Sequence, residues 1–332
     1  MSPRSSVSSV QHVTLAWFAM VMGLCGLSLA WHRAQPWWGP WAVQMSWLLG
    51  VMAALTLSIL MLTSVYKAWR FPVAWREDLA HPVRHVFVAA VPSSFILLST
   101  VMVALQGPHP VAQVFWMGGS ASLFAVTVWV AQRWLRPGLN AQVFWSAMTP
   151  ALFIPVVGNV LPALAGVALG HAEWAAMQYG LAAVLWPVAL TLVWVRIGMV
   201  GLWPERMLPA TFVTIAPPAV LGLSGANLGA PDGVVQMAWA VALFFTLWSM
   251  GVARRCAAQP FGMAFWGLSF PLAASASLSL HLVPDAQVGW ALAWLIGVSA
   301  VFVWLLWRTF MGLVRGELLQ PESVLHVRSH PL

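Results

Sequence analysis

The stretch VTLAWFAMVMGLCGLSLAW, residues 13–31, is the first of several long segments without a charged side chain. A transmembrane α-helix needs about 20 consecutive, mostly apolar residues to cross the hydrocarbon core of a bilayer. The stretch has that length, and it runs on into His32-Arg33 without the small-residue site at which a signal peptide is cleaved. We therefore expect a retained membrane span.

The composition extends this interpretation to the whole chain. Of 332 residues, 61% are hydrophobic and 7% are charged, whereas soluble domains carry roughly 25% charged residues. The net charge of +7 comes from too few cations to form a nucleic-acid-binding surface, so no nucleic-acid partner is expected. Two cysteines do not make a disulfide scaffold. The sequence predicts an all-α integral membrane protein whose main partner is the lipid bilayer.

Uncharged gaps and turn signals predict ten spans in a single transmembrane domain, residues 1–332. The predicted spans are about 13–31, 41–66, 86–106, 112–132, 144–169, 174–195, 208–228, 234–253, 262–282 and 286–307, with a short tail at 308–332. Fourteen of the fifteen Lys and Arg residues fall on one side, and Arg33 is the exception. Because cytoplasmic loops are enriched in Lys and Arg, we expect both termini in the cytoplasm and the protein in the plasma membrane, the inner membrane of a bacterium.

Prolines inside the predicted spans fall mainly in the odd-numbered ones. The third, fifth, seventh and ninth spans contain Pro92, Pro150, Pro155, Pro162, Pro217, Pro218 and Pro271, and among the even spans only the sixth has one, Pro187. Proline frees a backbone carbonyl that lipid cannot satisfy. Kinked odd helices should therefore face inward around a lumen, within a repeat of five helical hairpins. The alternative is ordinary membrane prolines that surround no lumen.

The spans lack the groups that most other functions require. No Asp, Glu, Lys or Arg lies in the middle of a predicted span, although proton-coupled carriers place ionisable groups there. His171 and Glu173 lack further metal ligands nearby, and Ser269 and His281 are too far apart on one helix to form a nucleophile–base pair. No enzyme, metal site or cofactor is expected. An uncharged path lined by hydroxyls, with a cytoplasmic collar of Arg residues, favours small inorganic or organic anions over cations.

Four segments, in this order along the chain, resemble the TehA family. They are Met22–Trp31, His81-Pro-Val-Arg-His85 leading into Phe87, Phe153–Val160 and Pro260–Pro271. This tellurite-resistance/dicarboxylate transporter family includes plant slow-type anion channels and fungal malate permeases. The likeness covers all ten spans and is strongest to bacterial TehA.

The resemblance implies a quasi-five-fold ring of five helical hairpins around a central pore, and a homotrimer in which each subunit has its own pore. It also implies that Phe270 in the ninth helix closes the pore, with Phe261 and Phe265 as alternatives nearer the cytoplasmic end. Where relatives carry a proline and a small glycine early in the first helix, this chain has Val21 and Ala19, which predicts a straighter first helix.

The remaining residue assignments concern the shape of the lumen. The residues expected to shape it are Pro92, Pro155, Pro217, Pro218 and Pro271, with Gly23 providing room beside the Phe270 ring. The function that follows is a gated anion channel or uniporter. The alternatives are a secondary transporter for C4-dicarboxylates such as malate or one related to tellurite, and a membrane scaffold acting through partners, for which the tail is too short to add a domain.

Overall fold

The computed structural model describes residues 10–135 and 141–319, and every regular element in those ranges is helical. Nine helices there are long and apolar enough to cross a membrane, and a tenth apolar helix is shorter. In chain order they are α1 (Leu15–Arg33), α2 (Pro40–Arg70), α3 (Arg84–Gln106), α4 (Pro110–Leu135), α5 (Pro150–Leu164), α6 (Ala172–Val200), α7 (Glu205–Asn227), α8 (Asp232–Met250), α9 (Met263–Leu282) and α10 (Val288–Val314). Short helices at Gln35–Trp38, Pro72–Ala80, Ala141–Ala147 and Ala253–Ala257 lie in the connections.

The fifth predicted span, 144–169, differs from the structure because it is not one continuous helix. The chain forms Ala141–Ala147, breaks, and resumes as the short α5, which changes from 3-10 to α and back to 3-10 before a turn at 165–170. Thr149 has the extended backbone conformation that is favoured before a proline, which accounts for the break before Pro150, and Pro162 lies inside the second 3-10 segment, where its missing N–H cannot donate.

Carbonyls in α5 accept hydrogen bonds from side chains of neighbouring helices. The pairs are Trp116 Nε1 to Pro162 O (2.9 Å), Thr127 Oγ1 to Pro155 O (2.6 Å) and Ser224 Oγ to Val160 O (2.8 Å). Irregular backbone at membrane depth is tolerated where protein groups satisfy it. These three contacts, from α4 and α7, therefore allow a broken helix to lie inside the bundle.

Burial alternates along the chain. In the most apolar windows of α1, α3, α7 and α9, between 67% and 78% of residues are buried, against 17% to 33% in the even-numbered helices. The odd-numbered helices, in which most of the intramembrane prolines occur, thus lie inside. The even-numbered helices expose large apolar side chains such as Leu62, Val184 and Val303. An apolar outer surface of this kind suits lipid contact, since lipid is itself apolar.

The odd helices contact one another in a closed cycle. α1 packs against α3 and α9, α9 against α7, α7 against α5, and α5 against α3. Each odd helix also packs against the even helix that follows it, so the chain is arranged as successive hairpins.

Each odd helix begins as a 3-10 helix and then becomes α-helical. The α-helical parts of α3, α5, α7 and α9 have Pro92, Pro155, Pro218 and Pro271 as their third residue. In the first turn of an α-helix the backbone N–H has no partner within the helix, so proline fits there. The prolines therefore stand at a change of helix type within each span. In α1 the equivalent residue is Met20, and its 3-10 part, Leu15–Trp17, is three residues long against eleven in α7.

Most of the described cations lie at one end of the bundle, here called the basic end, where α1, α3, α7 and α9 begin. A buried ion pair joins three elements there. The Lys67 ammonium, 2% exposed, donates to Asp78 Oδ2 at 2.6 Å and to the carbonyl of Val13 at 2.8 Å. Arg84 Nη1 donates to Asp78 Oδ1 at 3.1 Å. This cluster connects the start of α1 to the end of α2 and the start of α3.

Candidate pore and gate

Two cavities lie between the odd helices. The first, the proline cavity, has an empty volume of about 530 Å³ and is lined from α1, α5, α7 and α9 by residues that include Ala19, Ile154, Pro217 and Pro271. The second, the arginine cavity, has an empty volume of about 410 Å³ and is lined from all five odd helices by residues that include Arg33. The proline cavity is nearer to the basic end, because its lining comes from earlier in each odd helix.

Phe270 lines both cavities and so lies at their boundary. Its side chain is 8% exposed, and Val220 of α7 is the other residue that the two linings share. Phe270 is the second residue of the α-helical part of α9, directly before Pro271. Its ring is therefore held at the point where α9 changes helix type.

The glycine next to the ring is Gly26, which corrects the assignment of Gly23. A methyl group at Gly26 would lie 3.1 Å from Cδ2 of Phe270 and 3.2 Å from Cβ of Ala273. A methyl group at Gly23 would instead lie 2.6 Å from Cβ of Ser269. Three residues of α-helix leave the two glycines on nearly the same face of α1 but about 4.5 Å apart along its axis, so each meets a different residue of α9. Gly23 serves the close packing of α1 on α9, and Gly26 gives the ring its space.

The alternative gate residues Phe261 and Phe265 belong to an aromatic cluster. Their rings stack on each other with centroids 5.4 Å apart, and both meet Trp304 of α10 edge-on at 5.6 and 5.5 Å. The guanidinium of Arg308 lies 5.6 Å above the ring of Phe261. These contacts direct both rings toward the outer helix α10, away from the boundary between the cavities.

The other predicted lumen residues divide into two groups. Pro217 and Pro271 line the proline cavity. Pro92, Pro155 and Pro218 are buried within helix packing; a methyl group at Gly119 of α4, for example, would meet the Pro92 carbonyl at 3.0 Å.

The lining of the arginine cavity contains a charged residue, Arg33, which the sequence analysis placed only on one side of the membrane and not in the lumen. Arg33 lines the arginine cavity together with Gly26 and Leu29 of the same helix, at helical spacings of three and four. Ala19 and Met22, which line the proline cavity, precede Gly26 at the same spacing. This helical periodicity is the sequence signal that could have placed Arg33 on the inward face of α1. The lining of the proline cavity is therefore uncharged, and the lining of the arginine cavity includes a guanidinium.

The weaker candidate sites have structural roles. His171 stacks on Trp116 with ring centroids 5.0 Å apart, and its Nε2 lies 3.0 Å from Nε2 of Gln113. The Ser269 hydroxyl donates to the carbonyl of Trp266 at 2.6 Å. Within residues 10–135 and 141–319, no group of three or more His, Cys, Asp or Glu side chains could hold a metal ion.

Comparisons with known proteins agree with a membrane path for anions. The family model described as "SLAC1: Voltage-dependent anion channel" matches residues 12–313. The tellurite resistance protein TehA homolog of Haemophilus influenzae is 23% identical over 79% of this chain and 78% of its own length. The S-type anion channels SLAH1 and SLAH2 of Arabidopsis thaliana are 22% and 23% identical over 98% and 70% of this chain. The match covers 87% of SLAH1 but only 44% of SLAH2, so the chain spans less than half the length of that relative.

Proposed function

This chain belongs to the SLAC1 family of voltage-dependent anion channels, and from that premise we propose that it is a passive anion channel or uniporter closed by Phe270. The observation that carries the proposal is the position of the Phe270 ring at the boundary between two cavities, each lined by the odd helices. The family comprises channels, so no catalytic residue is assigned.

The proposed architecture is a ring of five hairpins with ten membrane crossings, the short α5 supplying the fifth. The closed cycle of contacts among odd helices and their greater burial support it. The excess of cations at the basic end supports a cytoplasmic location for that end and for both termini. The tail is proposed to lie there too; its residues 320–332 lie outside the described part of the chain. A homotrimer and an inner-membrane location in a bacterium follow from the resemblance to TehA.

The proposed gate works by packing alone. A buried aromatic ring separates the cavities and closes the path without any charged group. Moving it aside loses its apolar contacts, at a cost of up to roughly 3 kcal/mol. Gly26 sets how closely the ring can approach α1, so the closed position depends on the absence of a side chain there.

The lining also supports the sign of the permeating ion. Neither cavity lining contains an Asp or Glu side chain, and the arginine cavity contains Arg33. A cation would therefore meet no compensating charge, whereas an anion meets a guanidinium and hydroxyl groups. A C4-dicarboxylate would bring two negative charges to one Arg, which makes transport of malate, or of a tellurite-related oxyanion, the less favoured alternative.

The test is anion flux in liposomes that contain the purified protein. Phe270→Ala is expected to raise chloride and nitrate flux about tenfold or more over the unsubstituted protein, because the ring that closes the path, and its packing free energy, are removed. Phe265→Ala is the matched control, since Phe265 is similarly buried but contacts Phe261 and Trp304. Silence of Phe270→Ala in liposomes with equal protein content would refute the gate. Saturable malate flux coupled to protons would favour the carrier.

A further inference from the structure

The arginine cavity has a fixed positive charge that closure by Phe270 does not use. The polar side chains in its lining are Arg33, Thr100, Asn227 and Ser277, and the lining contains no carboxylate. The cavity lies on the side of Phe270 away from the basic end. In the proposed orientation, an anion that arrives from outside the cell meets this cavity before it meets the ring.

The guanidinium of Arg33 retains unused hydrogen-bond donors. Among the described residues its side-chain hydrogen bond is the one from Nη1 to Nδ1 of His281, at 3.4 Å, and it forms no ion pair there with Asp or Glu. A guanidinium has five N–H donors and no acceptor. Most of these donors are therefore free to bind an anion in the cavity.

Ser277 differs from the other serines of α9 in having a free hydroxyl. Ser275 and Ser279 accept hydrogen bonds from Trp294 (3.1 Å) and Trp239 (3.0 Å) on the outer helices. Ser277 is 3% exposed, lines the cavity, and has no side-chain hydrogen bond in the part of the chain that the structure describes. It lies seven residues after Phe270, on the same face of α9. Because Ser277 lines the cavity, its hydroxyl is available to donate to an anion there.

The other two polar groups are already engaged in holding the cavity wall. Thr100 donates to the carbonyl of Ile96 at 2.9 Å, and Asn227 donates to the carbonyl of Leu164 at 3.0 Å. The donors left for a ligand are thus concentrated on Arg33 of α1 and Ser277 of α9, and these two helices pack directly against each other.

We propose that Arg33 and Ser277 form a binding site for a small monovalent inorganic anion, such as chloride or nitrate, on the outer side of Phe270. One guanidinium balances one negative charge, and the hydroxyl donates the second hydrogen bond. The role of this site in conduction rests on the proposed function: it would load the path from outside and set the half-saturating external anion concentration. The binding itself does not require an open gate.

The binding test uses the purified full chain. Its thermal unfolding is followed while sodium gluconate is replaced by sodium nitrate at constant ionic strength, because a ligand that binds only the folded state raises Tm. Arg33→Gln is expected to weaken nitrate binding about tenfold, the effect of losing one charged hydrogen bond. Ser277→Ala is expected to weaken it about threefold. Arg254→Gln, which removes an exposed cation at the basic end, is the matched control and should leave nitrate binding unchanged.

The flux test places the same substitutions in the Phe270→Ala background. Arg33→Gln should raise the half-saturating external nitrate concentration about tenfold while changing the internal one less. Arg33→Lys keeps the charge, so its half-saturating external nitrate concentration should lie between those of the channels with Arg33 and with Arg33→Gln. The same variant replaces Arg33→Gln in the test if Arg33→Gln does not fold. Failure of Phe270→Ala to conduct would refute the proposed gate and leave the binding result standing. Unchanged nitrate stabilisation in Arg33→Lys or Arg33→Gln and in Ser277→Ala would overturn the site, whatever Phe270→Ala does.

Discussion

Gly26→Ala should open the path by crowding the closed position of the Phe270 ring. The added methyl carbon would lie 3.1 Å from Cδ2 of Phe270 and 3.2 Å from Cβ of Ala273. Carbon atoms pack best at about 3.5–4.0 Å, so the ring must retreat by about 0.4 Å or more. Overpacking of this kind costs typically about 1–3 kcal/mol. The change in helix propensity applies to open and closed states alike, so it cancels.

A cost of about 1.4 kcal/mol borne by the closed state alone raises the ratio of open to closed channels about tenfold. The assay is chloride or nitrate flux in liposomes at equal protein content. Gly222→Ala is a matched control, because its methyl group would meet Ala238 and Leu278 at 3.1 Å, between helices and away from the ring.

The decisive comparison combines Gly26→Ala with Phe270→Ala. If the methyl group acts by displacing the ring, it should add almost nothing once the ring is gone, because only coupled residues show such non-additivity. An equal increase in both backgrounds, or an equal increase in Gly222→Ala, would refute the reasoning.

Three further predictions concern stability and reactivity. Asp78→Asn should destabilise the fold by about 3–5 kcal/mol, because it leaves the Lys67 ammonium buried without a counter-charge; denaturant unfolding measures this, and Lys67→Met in the same chain should recover part of the loss. Gly23→Ala should lower Tm without raising flux, since its methyl group would lie 2.6 Å from Cβ of Ser269; Ser269→Gly should restore Tm, and a flux increase in Gly23→Ala would contradict the assigned role. Burial raises the pKa of the Cys256 thiol above its ordinary value, so less thiolate is present at neutral pH; maleimide labelling should be slow at pH 7 and accelerate at higher pH than for an exposed cysteine, and fast labelling at pH 7 would contradict this.

The sequence predicted the helical membrane class and nine of the helices well, because both depend on local composition. A span such as 112–132 needs only enough consecutive apolar residues, and α4 covers it. The same argument failed to describe 144–169. Its apolar length predicts one helix, but the backbone breaks before Pro150 and is 3-10 around Pro162, and neighbouring side chains such as Trp116 satisfy the carbonyls.

The candidate site depended more on the resemblance and on tertiary contacts. Phe270, taken from the resemblance, lies at the boundary of the cavities, while Phe261 and Phe265 pack on Trp304. Gly23 and Gly26 look equivalent in a glycine-containing helix, and only the packing of α1 on α9 distinguishes them.

By itself, the sequence determined that the chain is a bundle of membrane helices, and it predicted which helices lie inside, since hydrophobic length, proline and loop charge act within one segment at a time. The tertiary structure decided which small residue meets the ring and that Arg33 and Ser277 line the same cavity. The reason is geometric. The axial offset and rotation of one helix against another follow from side chains distant in sequence, and a displacement of a single residue along a helix turns a side chain by about 100°.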